Sequence, residues 1–292
     1  MVSPAQKRDA VQALIDLGRP VAVACKRVGL ALSTWLYKPH PREDEAELIA
    51  RLHELAKERP RFGYLRMTRI LRREGWVINK KRVQRLWQKE GLQVPKKSRK
   101  RRKWRKDHPW PDRGKHRNHV WTVDFLFDRT LDGKPIKVLS VLDEFTRECL
   151  ALPCARSLGA EDVVRVLDLV RAKRGAPVYV RADNGPEFIS NALQKWEKRS
   201  GAKMRFIKPG SPWQNGTVES FHDKLRDEYL QLETFATVAE ARVLLEQWRV
   251  DYNEYRPHSS LDYLTPSEFA ALPCGADSAS LHQPHREETC QV

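Results

Sequence analysis

Apolar residues recur at helical spacing through the first third of the chain and at strand spacing beyond it. Val11, Leu14, Ile15 and Leu17 form one stripe of a helix over residues 4–17, which Gly18-Arg19-Pro20 stops. A second helix over 21–28 ends at Gly29, and Ser33 offers an N-cap to a short third helix over 34–37. Helix, glycine turn, helix is the order of a helix-turn-helix, closed here by Pro39-His40-Pro41. The pattern returns over 44–57, 64–73 and 79–89, where Ile70 and Leu71 on one helix and Val83, Leu86 and Trp87 on the next supply the apolar faces. From Val120 the period changes. VWTVDFLF, IKVLSVLDEF and ECLALPCA are short β-branched and aromatic runs that predict an antiparallel meander. Helices over 161–173, 187–200, 217–230 and 238–255 then interleave with strands in PVYVRADNG and AKMRFIKPG. This order predicts an α/β fold, a mixed sheet covered by helices, preceded by all-α helix-turn-helix units.

Composition divides the chain at the same place. Of a net charge of +16 over 292 residues, residues 1–118 carry +20 and residues 119–292 carry −4. A basic half of this size implies an anionic partner, and nucleic acid is the first hypothesis. No apolar run approaches 18 residues, so no membrane span is expected, and MVSPAQKRDA has no apolar signal region. A cytoplasmic protein is the expectation. Five cysteines without a C-x-x-C pair argue against a disulfide framework, and His116, His119, Cys149 and Cys154 read as core and surface residues in preference to a zinc site.

The positive charge has two concentrations. Lys80, Lys81, Arg82 and Arg85 stand outward near the N-terminus of the helix that Asn79 caps, the part of a recognition helix that meets base edges and phosphates. KKSRKRRKWRK over 96–106, which includes Lys97, Arg99, Lys100, Arg101, Arg102 and Lys103, repels itself and is expected to be an extended linker that orders on phosphate. The organisation expected is therefore a helix-turn-helix-like unit over 1–40, a second over 41–95, a basic linker over 96–118, a catalytic core over 119–274 and a polar, disordered tail over 275–292.

Three carboxylates depart from the core pattern. Asp124 interrupts an apolar strand, Asp183 ends one at an Asn-Gly turn, and Glu219 lies in the first turn of a helix after PGSPWQNG. Each has an ordinary reading singly, as hydrogen-bond acceptor, turn former or helix N-terminal acid. Together they form an all-oxygen set suited to a hard cation such as Mg²⁺ or Mn²⁺, and two such ions roughly 4 Å apart serve phosphoryl transfer. No G-x-x-x-x-G-K-[ST] loop is present, so a phosphodiester is a better substrate than a nucleoside triphosphate.

WTVDF, RADNGPEF and KPGSPWQNGTVESF, with 35 residues between Asp183 and Glu219, resemble the D,D(35)E core of the transposase and retroviral integrase superfamily. RFGYLRMTRILRREGWVINKKRVQRLWQKEGL and YNEYRPHSSLDYLTPSEF extend the resemblance to the second-frame (OrfB-type) protein of insertion sequences of the IS3 family. The resemblance implies an RNase H-like domain in which Asp124, Asp183 and Glu219 hold two Mg²⁺ ions and catalyse strand cleavage and strand transfer at inverted-repeat DNA ends. By motif position Asn184 and Gly185 shape the loop beside the second carboxylate, Trp213 belongs to the active-site loop, and Arg226 contacts phosphate. Double-stranded DNA (terminal repeats and target), further copies of the chain, and an upstream OrfA-type helix-turn-helix protein or a frameshift fusion with it are the implied partners, in a bacterial, nucleoid-associated setting. A cleaving nuclease that does not join ends and an inert DNA-binding regulator are the rival readings. Asp262 departs from the pattern, since many relatives carry glycine there.

Overall fold

The computed structural model describes residues 3–37, 43–95, 113–208 and 212–273, so Lys97, Arg99, Lys100, Arg101, Arg102, Lys103 and the tail from 275 lie outside the described residues. The chain divides into two compact units, Met1–Arg51 and Leu52–Val292.

In the first unit, α1 (Pro4–Asp16), α2 (Val21–Val28) and α3 (Leu32–Leu36) enclose Val11, Ala24, Cys25 and Leu30. Ser3 caps α1, accepting from Gln6 N at 3.2 Å while the Gln6 amide oxygen accepts from Ser3 N at 2.9 Å. Gly29 ends α2 at φ +68°, a conformation glycine adopts without strain. Two expectations change. Leu17 follows the last turn of α1 and is 78% exposed, so it is not part of the stripe. Ser33 lies inside α3, whose N-cap is Ala31.

The helix α4 (Glu45–Glu58) runs into the second unit, where α5 (Tyr64–Arg73) packs on α6 (Lys80–Lys89) through buried Met67, Leu71, Val83, Leu86 and Trp87. Asn79 caps α6, its side chain accepting from Lys81 N at 2.9 Å. Next come β1 (Val120–Arg129), β2 (Pro135–Asp143), β3 (Cys149–Ala151), β4 (Cys154–Ala155), α7 (Ala160–Arg174), β5 (Tyr179–Ala182), α8 (Asn191–Ser200) and β6 (Lys203–Phe206). A 3₁₀ turn, Pro212–Asn215, leads into α9 (Gly216–Leu225), then a π-helical turn Arg226–Leu230, α10 (Val238–Glu254) and α11 (Pro266–Ala270).

The sheet order is β3-β2-β1-β5-β6, with β4 also on β2. The β1, β2 and β3 ladders are antiparallel, and β1-β5-β6 run parallel. Side chains alternate across the sheet. Trp121, Val123, Leu139 and Val141 meet α7 and α8 on one face, and Leu126, Ile136, Val138 and Leu142 meet α9 and α10 on the other. The third predicted strand is two, because Pro153 has no N–H to donate and the ladder breaks at Leu152-Pro153. The helix expected from 187 starts at Asn191, where Ser190 caps it by accepting from Leu193 N at 3.3 Å.

Charged contacts join the α4–α6 part of the second unit to its α/β part. Arg59 pairs with Asp251, Arg73 with Glu268, and Glu228 lies between Arg66 (3.0 Å) and Arg256 (2.6 Å). Buried Phe62 sits under Arg66, whose guanidinium is 4.9 Å from the ring centroid.

Candidate active site

Strand alternation decides where Asp124 points. With Trp121, Val123 and Phe125 on the α7/α8 face, Asp124 stands on the α9/α10 face, opposite Ser140 in the β1–β2 register. The parallel β1–β5 pairing ends at Thr122 and Arg181, and Asp124 and Asp183 each follow it by two residues along their own stretch of chain. Asp183 follows the last residue of β5, and its Oδ1 accepts from Gly185 N at 3.0 Å. Asn184 Nδ2 donates to the Ile207 carbonyl at 2.7 Å, fixing this turn to the end of β6. A Cβ on Gly185 would stand 3.0 Å from Asp183 Oδ1, so any larger residue would have to displace that carboxylate by a few tenths of an ångström. Glu219 occupies the first turn of α9, a helix in contact with β1.

The electrostatics link these groups. Burial pushes the Asp124 carboxyl up to about 6, the charges of Asp183 and Glu219 push the same way, and the Phe125 N–H and Arg226 oppose. Among the described residues no three His, Cys, Asp or Glu groups converge closely enough to hold a metal ion as they stand. The donor set nevertheless fits a hard divalent cation: three carboxylates, one of them half-buried and held in the field of the other two.

His222 and Ser140, which sequence motifs did not single out, complete the surroundings of Asp124. His222 Nε2 lies 2.9 Å from Ser140 Oγ, and Nδ1 lies 3.8 Å from Asp124 Oδ2. Burial, and then the charge of Arg226, push the imidazole down to about 4, so the approach to Asp124 is made by a neutral ring and is not an ion pair. The signal available was spacing alone, because His222 follows Glu219 by three residues on α9. On the other side Lys137 pairs with Glu187, donates to the Leu158 carbonyl at 3.1 Å and lies 3.7 Å from the Phe125 ring centroid. These contacts tie the turn after Asp183 to β2.

The residues expected to meet DNA fall in three places. Lys80, Lys81 and Arg85 are exposed on α6 and Arg82 is half-buried there. Trp213 stands in the Pro212–Asn215 turn. Arg226 is exposed at the start of the π-helical turn, near enough to act on Asp124 and His222. Asp262 has φ +49°, a left-handed conformation that glycine adopts without strain.

Comparison with known proteins gives the same architecture. Residues 114–212 and 200–266 match the Integrase core domain family, and residues 41–102 match the HTH-like domain family. The chain is 43% identical over 248 residues to the insertion element IS407 uncharacterized 31.7 kDa protein of Burkholderia multivorans, covering 85% of this chain and 89% of that one. It is 38% identical to the insertion element IS476 uncharacterized 39.2 kDa protein of Xanthomonas euvesicatoria (92% and 78% covered). Identity to the transposase InsD for insertion element IS2-9 of Escherichia coli K12 is 26% (90% and 93% covered). Among solved structures, a chain of the simian T-cell lymphotropic virus intasome, in complex with PP2A regulatory subunit B56 gamma, shares the fold at TM-score 0.50 and 16% identity, covering 78% of this chain and 76% of that one.

Proposed function

Since the chain belongs to the IS3-type insertion-element transposases, polynucleotidyl transferases built on an RNase H-like integrase core, we propose that Asp124, Asp183 and Glu219 are its catalytic carboxylates, acting at the inverted-repeat ends of an insertion sequence. The observation that supports this reading is that the charges of Asp183 and Glu219 both act on the half-buried carboxyl of Asp124, which stands on the strand that pairs with β5. These three side chains would hold two Mg²⁺ or Mn²⁺ ions. When bound, such a pair of ions supplies Lewis-acid activation of an attacking oxygen and stabilisation of a leaving oxygen in an in-line displacement.

The protein's own groups set the stage for two successive displacements, water on the strand at the element end and then the freed 3′-OH on target DNA. Gly185 N and the tethered Asn184 turn orient Asp183. Neutral His222, held against Ser140, lies against the side of Asp124 without neutralising it. Arg226 meets a phosphate beside the carboxylates, and Lys80, Lys81, Arg82 and Arg85 of α6 hold the terminal repeat. No Ser or Tyr nucleophile is required. Two DNA ends favour an assembly of several copies, with an OrfA-type partner or fusion as a further component.

The test is purified protein with labelled element ends and Mg²⁺, comparing wild type with Asp124→Asn, Asp183→Asn and Glu219→Gln. Joined products are expected from wild type alone. Strand transfer surviving in any of the three variants would refute the assignment, and nicks without joining would make the protein a nuclease.

A further inference from the structure

On the face of α9 turned away from Glu219 lies a cavity of about 380 Å³. Thr217, Ser220 and Lys224 line it at helical spacing, whereas none of Asp124, Asp183 and Glu219 does. Four cationic side chains border it, Arg113, Arg147, Arg181 and Lys224, against the single carboxylate of Glu144, which Arg181 engages at 2.7 Å. Hydroxyls converge with these cations. Arg147 donates to Thr217 Oγ1 at 2.8 Å, Lys224 Nζ to Ser220 Oγ at 2.9 Å, and Ser259 and Ser260 close the far wall. Gly216, the first residue of α9, also lines the space, so the N–H end of the helix faces the same region.

We propose that this cavity binds a phosphate group, with Arg147 and Lys224 as the charged side chains that hold it. Charge, hydrogen-bond donors and a helix N-terminus act together there, which is the combination that selects phosphate over smaller or apolar ligands. Lys224 is short of counter-charge: burial, with the nearby charges of Arg256, Arg147 and Arg66, pushes its ammonium down to about 7, and Glu228 only partly opposes them. A phosphate in the cavity supplies the missing negative charge. His258, which shares the wall, is pushed down by burial and by the same cations, so it presents a neutral ring.

One helix diameter, about 10 Å, separates this face of α9 from the carboxylate face. If the transposase reading above holds, the backbone phosphate of a strand passing round the start of α9 is the natural occupant, while free phosphate carries the same chemistry. Gln214 of the adjoining 3₁₀ turn reaches the cavity and accepts from Lys208 N at 2.9 Å, so an occupant there steadies the segment just before Glu219.

The experiment uses the full chain in chelator, so that DNA cleavage is not the readout and failure of the transposase reading leaves the result interpretable. Inorganic phosphate is titrated by calorimetry into wild type, Arg147→Gln and Lys224→Met, and the salt dependence of binding to a duplex is measured for the same proteins. Each variant is expected to lose at least tenfold in phosphate affinity. Lys224→Met removes a charge that burial disfavours, so it folds and carries the comparison even where Arg147→Gln does not. A salt slope shallower by about 0.9 in the variants assigns the occupant to the DNA backbone. An unchanged slope with lost phosphate affinity assigns it to free phosphate. Wild type that binds no phosphate, or variants that bind it equally well, would overturn the proposal.

Discussion

Replacing Glu228 with glutamine removes the negative charge at the centre of the contacts between the α4–α6 part of the second unit and its α/β part. Glu228 accepts from Arg256 Nε and Nη2, both at 2.6 Å, and from Arg66 Nη1 at 3.0 Å. Its side chain is 9% exposed and that of Arg256 only 2%, so neither finds water when the other is altered. Breaking such a buried pair costs about 3–5 kcal/mol, and glutamine, which keeps one acceptor, belongs at the lower end. For a unit of this size that is a fall in Tm of about 6–12 °C. Acid supplies a control. Burial works to raise the Glu228 carboxyl, but the Arg256 hydrogen bonds and the charges of Arg256, Arg66 and Lys224 bring it below the ordinary value of 4.5. A carboxyl depressed on folding stabilises the protein above its unfolded value, and the stabilisation disappears as pH falls through the folded value. Thermal melts of wild type and Glu228→Gln should therefore differ most at pH 7.5 and converge in acid. Melting within about 2 °C of wild type at pH 7.5, or a gap that persists unchanged to about pH 3, would refute the argument.

Three other outcomes are expected. Gly185→Ala should leave the melting temperature near that of wild type but lower strand transfer strongly, because the added Cβ meets Asp183 Oδ1 at 3.0 Å and turns that carboxylate; full activity would contradict the role of this turn. Asp124→Asn in chelator should be more stable than wild type at pH 8, by up to about 3 kcal/mol. Its carboxyl is raised on folding to about 6, so its favourable contribution is complete below 3.8 and lost as pH rises through 6. Denaturant titrations at pH 8 and 4 check this, and an equal gain at both would contradict it. Cys149 and Cys154, buried and with thiols pushed up by burial, should escape iodoacetamide in the native protein at pH 8 and react after denaturation, as peptide mapping would show.

Much of this molecule could be read from local pattern. Asn79 and Gly29 bound their helices because capping chemistry is local, and Tyr64–Arg73 follows directly from its apolar spacing. Asp124 and Asp183 stood out because a charge in an apolar strand and an Asp-Asn-Gly strand end are visible one residue at a time. What escaped depends on contacts distant in sequence. His222 meets Ser140 across 82 positions, and Glu228 meets Arg66 across 162. No periodicity marks such pairs. Pro153 was legible as a residue without an N–H, yet its effect, two short strands in place of one, depends on which partner strand lies alongside. The phosphate cavity needs α9, the β2–β3 turn and the residues around 258–260 together, and no single segment announces it.

The π-helical turn after α9 gives this part of the protein an unusual heredity. Gln231 N bonds to the Arg226 carbonyl at 3.0 Å, a five-residue step that accommodates one more residue than an α-helical turn. An extra residue carried in an unbroken α-helix would rotate everything beyond it by about 100°, whereas the wide turn takes it up locally. Glu228 lies within that turn and meets Arg66 and Arg256 from it. Point substitutions in this turn can be inherited one at a time. A one-codon deletion would close the turn and shift Glu228 within it, so the contacts to the α4–α6 part depend on the length of the turn as well as on its composition.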